Sequence, residues 1–113
     1  MKFKWNPSTI RWYQQANTYS GFFKNIADLI VPRLKGYSTL CDIGCGLGLI
    51  DLELSKSIKS ITCVDIDEEA IGALEKSVKE REITNIDSQL IDYNDIDGYW
   101  DVIYVSFFGS RNL

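Results

Sequence analysis

The stretch Leu40-Cys41-Asp42-Ile43-Gly44-Cys45-Gly46-Leu47-Gly48 decides the fold of this 113-residue chain. It begins as a short apolar run and ends in three glycines at alternate positions. A tight turn from a strand into a helix needs positive φ, which glycine adopts at little cost. The free N–H groups at the start of the following helix then favour an anion. The stretch therefore predicts a strand, a turn and a helix, and the turn either binds a ligand or merely reverses the chain.

Strands and helices alternate on the C-terminal side of this turn. The pattern predicts strands over 39–43, 60–65, 88–91 and 101–105, and helices over 49–57 and 68–81. This order is typical of an α/β fold, in which a parallel sheet binds ligands at the carboxyl ends of its strands. We therefore predict a doubly wound, mostly parallel sheet of about four strands.

Helical patterns precede the sheet. Asn6-Pro7-Ser8 predicts the start of one helix, and Ser20 is the expected N-cap of a second. Pro32 should end or kink the second helix, and Gly36 marks its exit. We divide the chain into a helical lead segment, residues 1–36, and a sheet-containing half-domain, residues 37–113.

Composition excludes several classes of function. The net charge of −4 argues against a general nucleic-acid binder, although the basic, aromatic lead segment suits either an RNA contact or a solvated helix face. No apolar stretch approaches the roughly 20 residues that span a membrane. No signal-peptide pattern is present, so we expect a cytoplasmic protein. Cys41, Cys45 and Cys63 have no zinc spacing and no histidine accompanies them, so we expect buried, reduced thiols on strands and no metal.

Residues 42–48 resemble motif I of the class I S-adenosylmethionine (SAM)-dependent methyltransferases, with Asp42 two places before the first glycine. The resemblance continues downstream in the family's order. Asp65 ends the second strand, Asp92 opens an acidic loop after the third, and Trp100-Asp101 leads the fourth. It implies a Rossmann-like sheet, SAM as the methyl donor and S-adenosylhomocysteine as the product. A dinucleotide-binding oxidoreductase fits less well, because Leu49 stands where its fingerprint has a third glycine.

The resemblance implies ten cofactor-binding residues: Asp42, Gly44, Cys45, Gly46, Gly48, Asp65, Ile66, Asp92, Tyr93 and Ser106. The glycines would carry the methionyl part of SAM, and Asp42 would contact its amino end. Asp65 would accept hydrogen bonds from both ribose hydroxyls, unless it merely caps the following helix.

The remaining predicted residues would contact the adenine ring of SAM or lie near its transferred methyl group. Ile66 would pack on the adenine ring, Asp92 would accept a hydrogen bond from its amino group, and the Tyr93 N–H would meet a ring nitrogen. A solvated loop acid is the alternative for Asp92. Ser106 would lie near the transferred methyl group, but residues 106–109 match no catalytic signature, so the catalytic residues stay unknown. Trp12 and Tyr13 would either face the sulfonium or pack in the core.

The resemblance covers the first four of the family's seven strands. It predicts a methyltransferase acting on an unidentified acceptor, for which we favour a small molecule over a nucleic acid. The alternative is a SAM-binding module or partner subunit without activity of its own. Residues 101–105 would form an open sheet edge, where a second copy or a partner chain could pair.

Overall fold

The computed structural model of the chain describes residues 5–105, with the backbone alone for residues 18–20. The helices are α1 (Pro7–Ser20), α2 (Phe22–Ile30), α3 (Leu49–Leu54) and α4 (Glu68–Glu80), with 3₁₀ turns over Val31–Leu34 and Tyr93–Asp95. The strands are β1 (Thr39–Ile43), β2 (Ser60–Asp65), β3 (Ile86–Leu90) and β4 (Val102–Val105). All pairings are parallel and the order is β3-β2-β1-β4. The predicted α/β, Rossmann-like parallel sheet is confirmed.

Two predicted helix boundaries are wrong. Ser20 is the last residue of α1 and does not cap α2. Gly21, in the left-handed region at φ 65°, ends α1 by donating its N–H to the Asn17 carbonyl and also begins α2. This is the usual glycine C-cap of a helix. At the start of α2 the Phe23 N–H donates to Asn17 Oδ1 at 3.2 Å, so a side chain of α1 caps the second helix. Helix α3 stops at Leu54, because residues 55–57 turn back toward β2.

The strand positions agree closely with the predictions, except that β3 begins at Ile86 and ends at Leu90. The chain enters β3 through Asn85, whose amide donates to the carbonyls of Ser55 and Ile58 at 2.8 and 2.9 Å. These bonds join the start of β3 to the turn before β2. Sequence alternation in Ile86–Leu90 is weak, which explains the shifted boundary.

The main apolar core lies on one face of the sheet. Leu40 of β1 and Ile61 of β2 are register partners, and both are buried in a cluster with residues of α2, α3 and α4, against which α1 packs partly buried side chains. Side chains alternate between the faces of a strand. Cys63 therefore shares the face of Ile61, whereas Thr62 lies on the opposite face, where its hydroxyl accepts a hydrogen bond from Trp100 Nε1 at 3.1 Å.

Asp101 joins β4 to β1. Its carboxylate accepts hydrogen bonds from the N–H groups of Ser38 and Thr39 at 2.7 and 3.2 Å. Its own N–H donates to the Thr39 hydroxyl at 2.8 Å. Within residues 5–105 no strand pairs with the other side of β4, so the predicted edge position is confirmed for this part of the chain.

The helical lead segment packs on the sheet. Trp5, Ala27 and Leu34 belong to the same buried cluster as the strands. The division at residue 36 stays a prediction. Across the described residues, no helix combines the length and apolar character needed to cross a bilayer.

Candidate functional site

The glycine turn is held against the end of β2. The N–H groups of Gly44 and Cys45 both donate to the Val64 carbonyl, at 2.8 and 3.1 Å. Gly44, Gly46 and Gly48 all have positive φ, between 57° and 73°. A Cβ at Gly48 would lie 2.5 Å from Leu74 Cδ1, so both conformation and packing require glycine there. The motif is thus a rigid turn built into the core.

Asp65 connects β2 to this turn. Its Oδ2 accepts from the Gly46 N–H at 2.8 Å, and its Oδ1 accepts from the Asp67 N–H at 2.9 Å. The alternative role as a helix cap is wrong, since Asp67 is the N-cap of α4 and accepts from Ala70 N–H. Each oxygen of a carboxylate has two lone pairs. The Asp65 carboxylate therefore accepts at both oxygens and holds the glycine turn and the start of α4 to the end of β2.

A shallow cleft lies beside Asp65, at the carboxyl ends of β1, β2 and β3. It is lined by Ile43, Gly44, Val64, Asp65, Ile66, Ile91 and Tyr93, with a volume of about 10 Å³. Ile66 and Tyr93 are 53% and 51% exposed, so each presents an apolar surface to solvent. These two side chains therefore offer an exposed apolar surface beside the cleft, of the kind on which a flat ring packs. The structure thus brings together Gly44, Asp65, Ile66 and Tyr93.

Asp92 lies next to this cleft but does not line it. Its side chain is exposed, and Oδ1 accepts from the Asn94 N–H at 2.8 Å, which caps the short 3₁₀ turn. The second oxygen, Oδ2, is a further acceptor at the surface. The local geometry matches a loop acid with one capping bond, and its role toward adenine stays a prediction.

Asp42 and Asp51 form a buried pair of carboxyl groups behind the glycine turn. Both are 0% exposed. The pKa of Asp51 is raised well above its ordinary value, first by burial and then by the charge of Asp42 and a hydrogen bond with it; the Cys63 thiol acts in the opposite direction. Two carboxyls can share a hydrogen bond only if one of them is protonated. Asp42 is buried and does not line the cleft, and its predicted contact with the amino end of SAM stays a prediction.

The three cysteines are free and buried, as predicted, although Cys45 lies in the glycine turn and not on a strand. Burial and the charge of Asp42 raise the pKa of Cys41 to about 11. A hydrogen bond with Cys45, together with burial, raises the pKa of Cys63. A thiol with a raised pKa is a poor nucleophile. Among residues 5–105, no three or more His, Cys, Asp or Glu side chains are grouped to hold a metal ion.

Aromatic residues of the lead segment cover the turn on the side of α1 and α2. Trp5 lies so close that a Cβ at Gly46 would be 3.2 Å from its Cζ2 atom. Tyr13 packs edge-on against Trp5, with ring centroids 5.2 Å apart, and lines a pocket of about 100 Å³ with Cys45 and Gly46. Trp12 is 62% exposed and does not line this pocket. Of Trp12 and Tyr13, for which the sequence left a sulfonium contact or core packing open, Tyr13 packs against the core and lines this pocket, and its role toward the cofactor stays a prediction.

Sequence reasoning missed Trp5 and Asp51. Nothing local in the sequence connects Trp5 to a turn about forty residues away. Asp51 did carry a signal, because it interrupts the apolar run of α3 between Ile50 and Leu52, both of which are buried. The predicted site residue Ser106 lies outside the described residues.

Comparison with known proteins identifies the family. Residues 40–110 match the model of a methyltransferase domain. The chain is 39% identical over 72 residues to the ribosomal RNA small subunit methyltransferase A of Hydrogenobaculum sp. (strain Y04AAS1), covering 61% of this chain and 29% of that protein. It is 25% identical over 71 residues to the ribosomal protein L11 methyltransferase of Thermotoga petrophila, covering 62% and 27%. The chain thus spans less than a third of the length of either relative.

The fold has close counterparts among solved structures. A SAM dependent methyltransferase from Aquifex aeolicus superposes with a TM-score of 0.73 at 22% identity, covering 92% of this chain and 58% of that one. This likeness supports the fold. The family match covers more than half of the chain, including the glycine turn, Asp65 and the acidic loop. The chain therefore belongs to the methyltransferase-domain family.

Proposed function

We propose that the carboxyl ends of β1, β2 and β3 bind SAM and that the chain is the cofactor-binding part of a SAM-dependent methyltransferase. The observation that carries this proposal is the position of Asp65. Its carboxylate accepts from the turn N–H of Gly46 and lies in one cleft with Gly44, Ile66 and Tyr93. A carboxylate, a backbone turn and two exposed apolar side chains are thus adjacent, an arrangement that suits an adenosyl group.

The proposed chemistry needs little from the protein beyond orientation. SAM is a sulfonium and already a good electrophile, so methyl transfer is an in-line displacement in which proximity supplies most of the acceleration. Asp65 would accept from the two ribose hydroxyls, and the turn would carry the methionyl part. Ile66 and Tyr93 would support the adenine ring. These residues bind and orient; they do not exchange protons with the acceptor.

A calorimetric titration with SAM, S-adenosylhomocysteine and NAD tests the proposal. We expect both SAM and its product to bind and NAD to give no heat. Asp65→Asn should weaken SAM binding by roughly 10- to 100-fold, since hydrogen bonds to a charged group contribute about 1.5–3 kcal/mol. Asp97→Asn, an exposed acid in the loop before β4, is the matched control and should bind like the wild type. Binding of NAD, or equal affinity of Asp65→Asn and the wild type, would contradict the proposal.

The acceptor is a separate question. The sequence favours a small-molecule acceptor. Because two relatives are named as methyltransferases of ribosomal RNA and of ribosomal protein L11, these two macromolecules are further candidate acceptors. An activity panel of small amines and phenols, ribosomal RNA and ribosomal protein therefore distinguishes the three kinds of acceptor.

The second candidate function is a SAM-binding module without turnover, favoured by the open edge of β4 within the described residues. SAM binding without methyl transfer to any of the panel would support it.

A further inference from the structure

The net charge of the chain is unevenly divided between its two parts. Residues 1–36 contain six of the twelve basic residues but only one of the sixteen acids, which gives the lead segment a net charge of +5. Residues 37–113 contain the other basic residues and acids and have a net charge of −9. At physiological ionic strength, charges farther apart than about 8 Å are largely screened. The local charge of the lead segment therefore decides which ligands it attracts, and a cluster of basic residues attracts a polyanion.

The described basic residues of the lead segment are all at the surface: Arg11, Lys24, Arg33 and Lys35. Lys24 forms an ion pair with Asp28 at 3.2 Å, and Arg11 lines a groove that glutamates of α4 also line. Arg33 and Lys35 differ from these two, because neither forms an ion pair with a carboxylate of the described residues. Their guanidinium and ammonium groups are thus available to phosphate oxygens, which both kinds of group bind well.

Exposed aromatic and amide side chains accompany these cations. Tyr37, two residues after Lys35, is 53% exposed, and Trp12 of α1 is 62% exposed. Bases of single-stranded nucleic acids stack on aromatic side chains, and rings combined with cations that contact phosphates are the usual composition of such a binding surface. The amide side chains of Gln15 and Asn25 are also exposed. An amide can donate to and accept from a 2′-hydroxyl, the group that distinguishes RNA from DNA.

We propose that the outside of the lead segment and its exit into β1 bind single-stranded RNA, through side chains that we call the lead-segment surface: Trp12, Gln15, Asn25, Arg33, Lys35 and Tyr37. Arg33 and Lys35 contact phosphates, and the two aromatic rings stack on bases. Trp12 packs edge-on against Tyr13, with ring centroids 4.9 Å apart, and Tyr13 lines the pocket at the glycine turn. One end of the surface is therefore next to this turn, although RNA binding does not depend on the proposed function.

Fluorescence anisotropy of a labelled RNA of about 12 nucleotides tests the proposal, since one single-strand site covers roughly 4–16 nucleotides. Affinity is measured with the full chain between about 50 and 200 mM salt, and its logarithm should fall linearly with the logarithm of the salt concentration. The double variant Arg33→Gln, Lys35→Gln should reduce the slope by about 1.4, since each phosphate contact on a single strand contributes about 0.7. The same variant should bind RNA roughly 10- to 30-fold more weakly at about 0.1 M salt.

The double variant Lys59→Gln, Lys79→Gln is the matched control. Both lysines are exposed, belong to the acidic part of the chain and form no ion pair with a described residue. This variant removes the same charge and should bind RNA like the wild type. Trp12→Ala should weaken binding by roughly 5- to 150-fold through loss of a stacking ring. Tyr99→Ala removes a 91% exposed ring outside the lead-segment surface and should have no effect.

Several outcomes would overturn the proposal: no RNA binding by the wild type, binding that does not change with salt, or equal losses in the two double variants. Two comparisons use the wild type alone and so do not depend on the folding of a variant. Equal affinity for single-stranded DNA of the same sequence would overturn the assignment to RNA, and equal affinity for polyglutamate would overturn the assignment to a nucleic acid. Calorimetric titration with SAM reports the proposed function separately, since no residue of the lead-segment surface lines the cleft beside Asp65.

Discussion

At the scale of single residues, two features of the structure require glycine at position 48: its backbone conformation and the packing around it. Its φ of 67° is in the left-handed region, and Leu74 of α4 fills the space where a Cβ would lie. Gly48→Ala should therefore destabilise the fold by about 2 kcal/mol or more, through backbone strain and overpacking. Urea denaturation measures the free energy of unfolding.

Gly72→Ala is the matched control for this prediction. Gly72 is exposed in the middle of α4, and nothing lies within 4 Å of its added Cβ. Alanine favours a helix over glycine by roughly 0.5–1 kcal/mol, so this variant should be more stable than the wild type. If Gly48→Ala unfolds at the same urea concentration as Gly72→Ala, the packing argument for the turn is wrong.

The acid pair predicts an unusual pH dependence of stability. Because the folded-state pKa of Asp51 is raised above its unfolded value, the folded protein binds the proton more tightly. Its contribution to stability is therefore largest below the unfolded pKa of about 3.9, and it is lost as pH rises toward the raised folded pKa. Relative to Asp51→Asn, the wild type should lose up to about 1.4 kcal/mol per pH unit in that window. A constant difference between pH 4 and 7 in chemical denaturation would contradict this expectation.

At the scale of the elements, Asp101 decides how β4 attaches to β1. Its carboxylate accepts two backbone N–H groups at the start of β1, from Ser38 and Thr39. Asp101→Ala should cost about 1–3 kcal/mol and speed amide exchange at those two residues, since charge-assisted hydrogen bonds to backbone are lost. Asp97→Ala, in the same loop, should change neither. Unchanged exchange at Ser38 and Thr39 would show that β4 is held by other contacts.

The elements themselves were predicted well where the signal is local. The run Thr39–Ile43 followed by glycines, and the β-branched β2, gave strands whose bounds the structure reproduces. One boundary failed because a distant contact sets it: Asn85 fixes the start of β3 through carbonyls about 30 residues earlier. The other failure is local, because Gly21 both ends α1 and begins α2, so Ser20 is not the N-cap of α2.

At the scale of the whole molecule, the edge of β4 is the surface where we expect association. Ile103 and Val105 are 60% and 50% exposed, and the other side of β4 carries no strand within the described residues. Unpaired apolar edges pair with other chains. Sedimentation velocity of this chain should show concentration-dependent self-association that Ile103→Lys reduces. Tyr99→Lys, a 91% exposed position outside the strand, is the control. A single monomeric species up to millimolar concentration in the wild type would contradict the prediction.

The sequence by itself determined the strand Thr39–Ile43, the glycine turn, the start of the next helix at Leu49 and the acid at the end of β2. Positive φ and strand alternation are local properties, so they can be read from neighbouring residues. Only the tertiary structure decided that Trp5 lies close to Gly46 and that Asp65 accepts a hydrogen bond from the turn. The complete burial of Asp42 and Asp51 was likewise decided by the tertiary structure. These contacts join β1, β2, α3 and the lead segment. Their energies depend on burial, which arises only when the helices close over one face of the sheet.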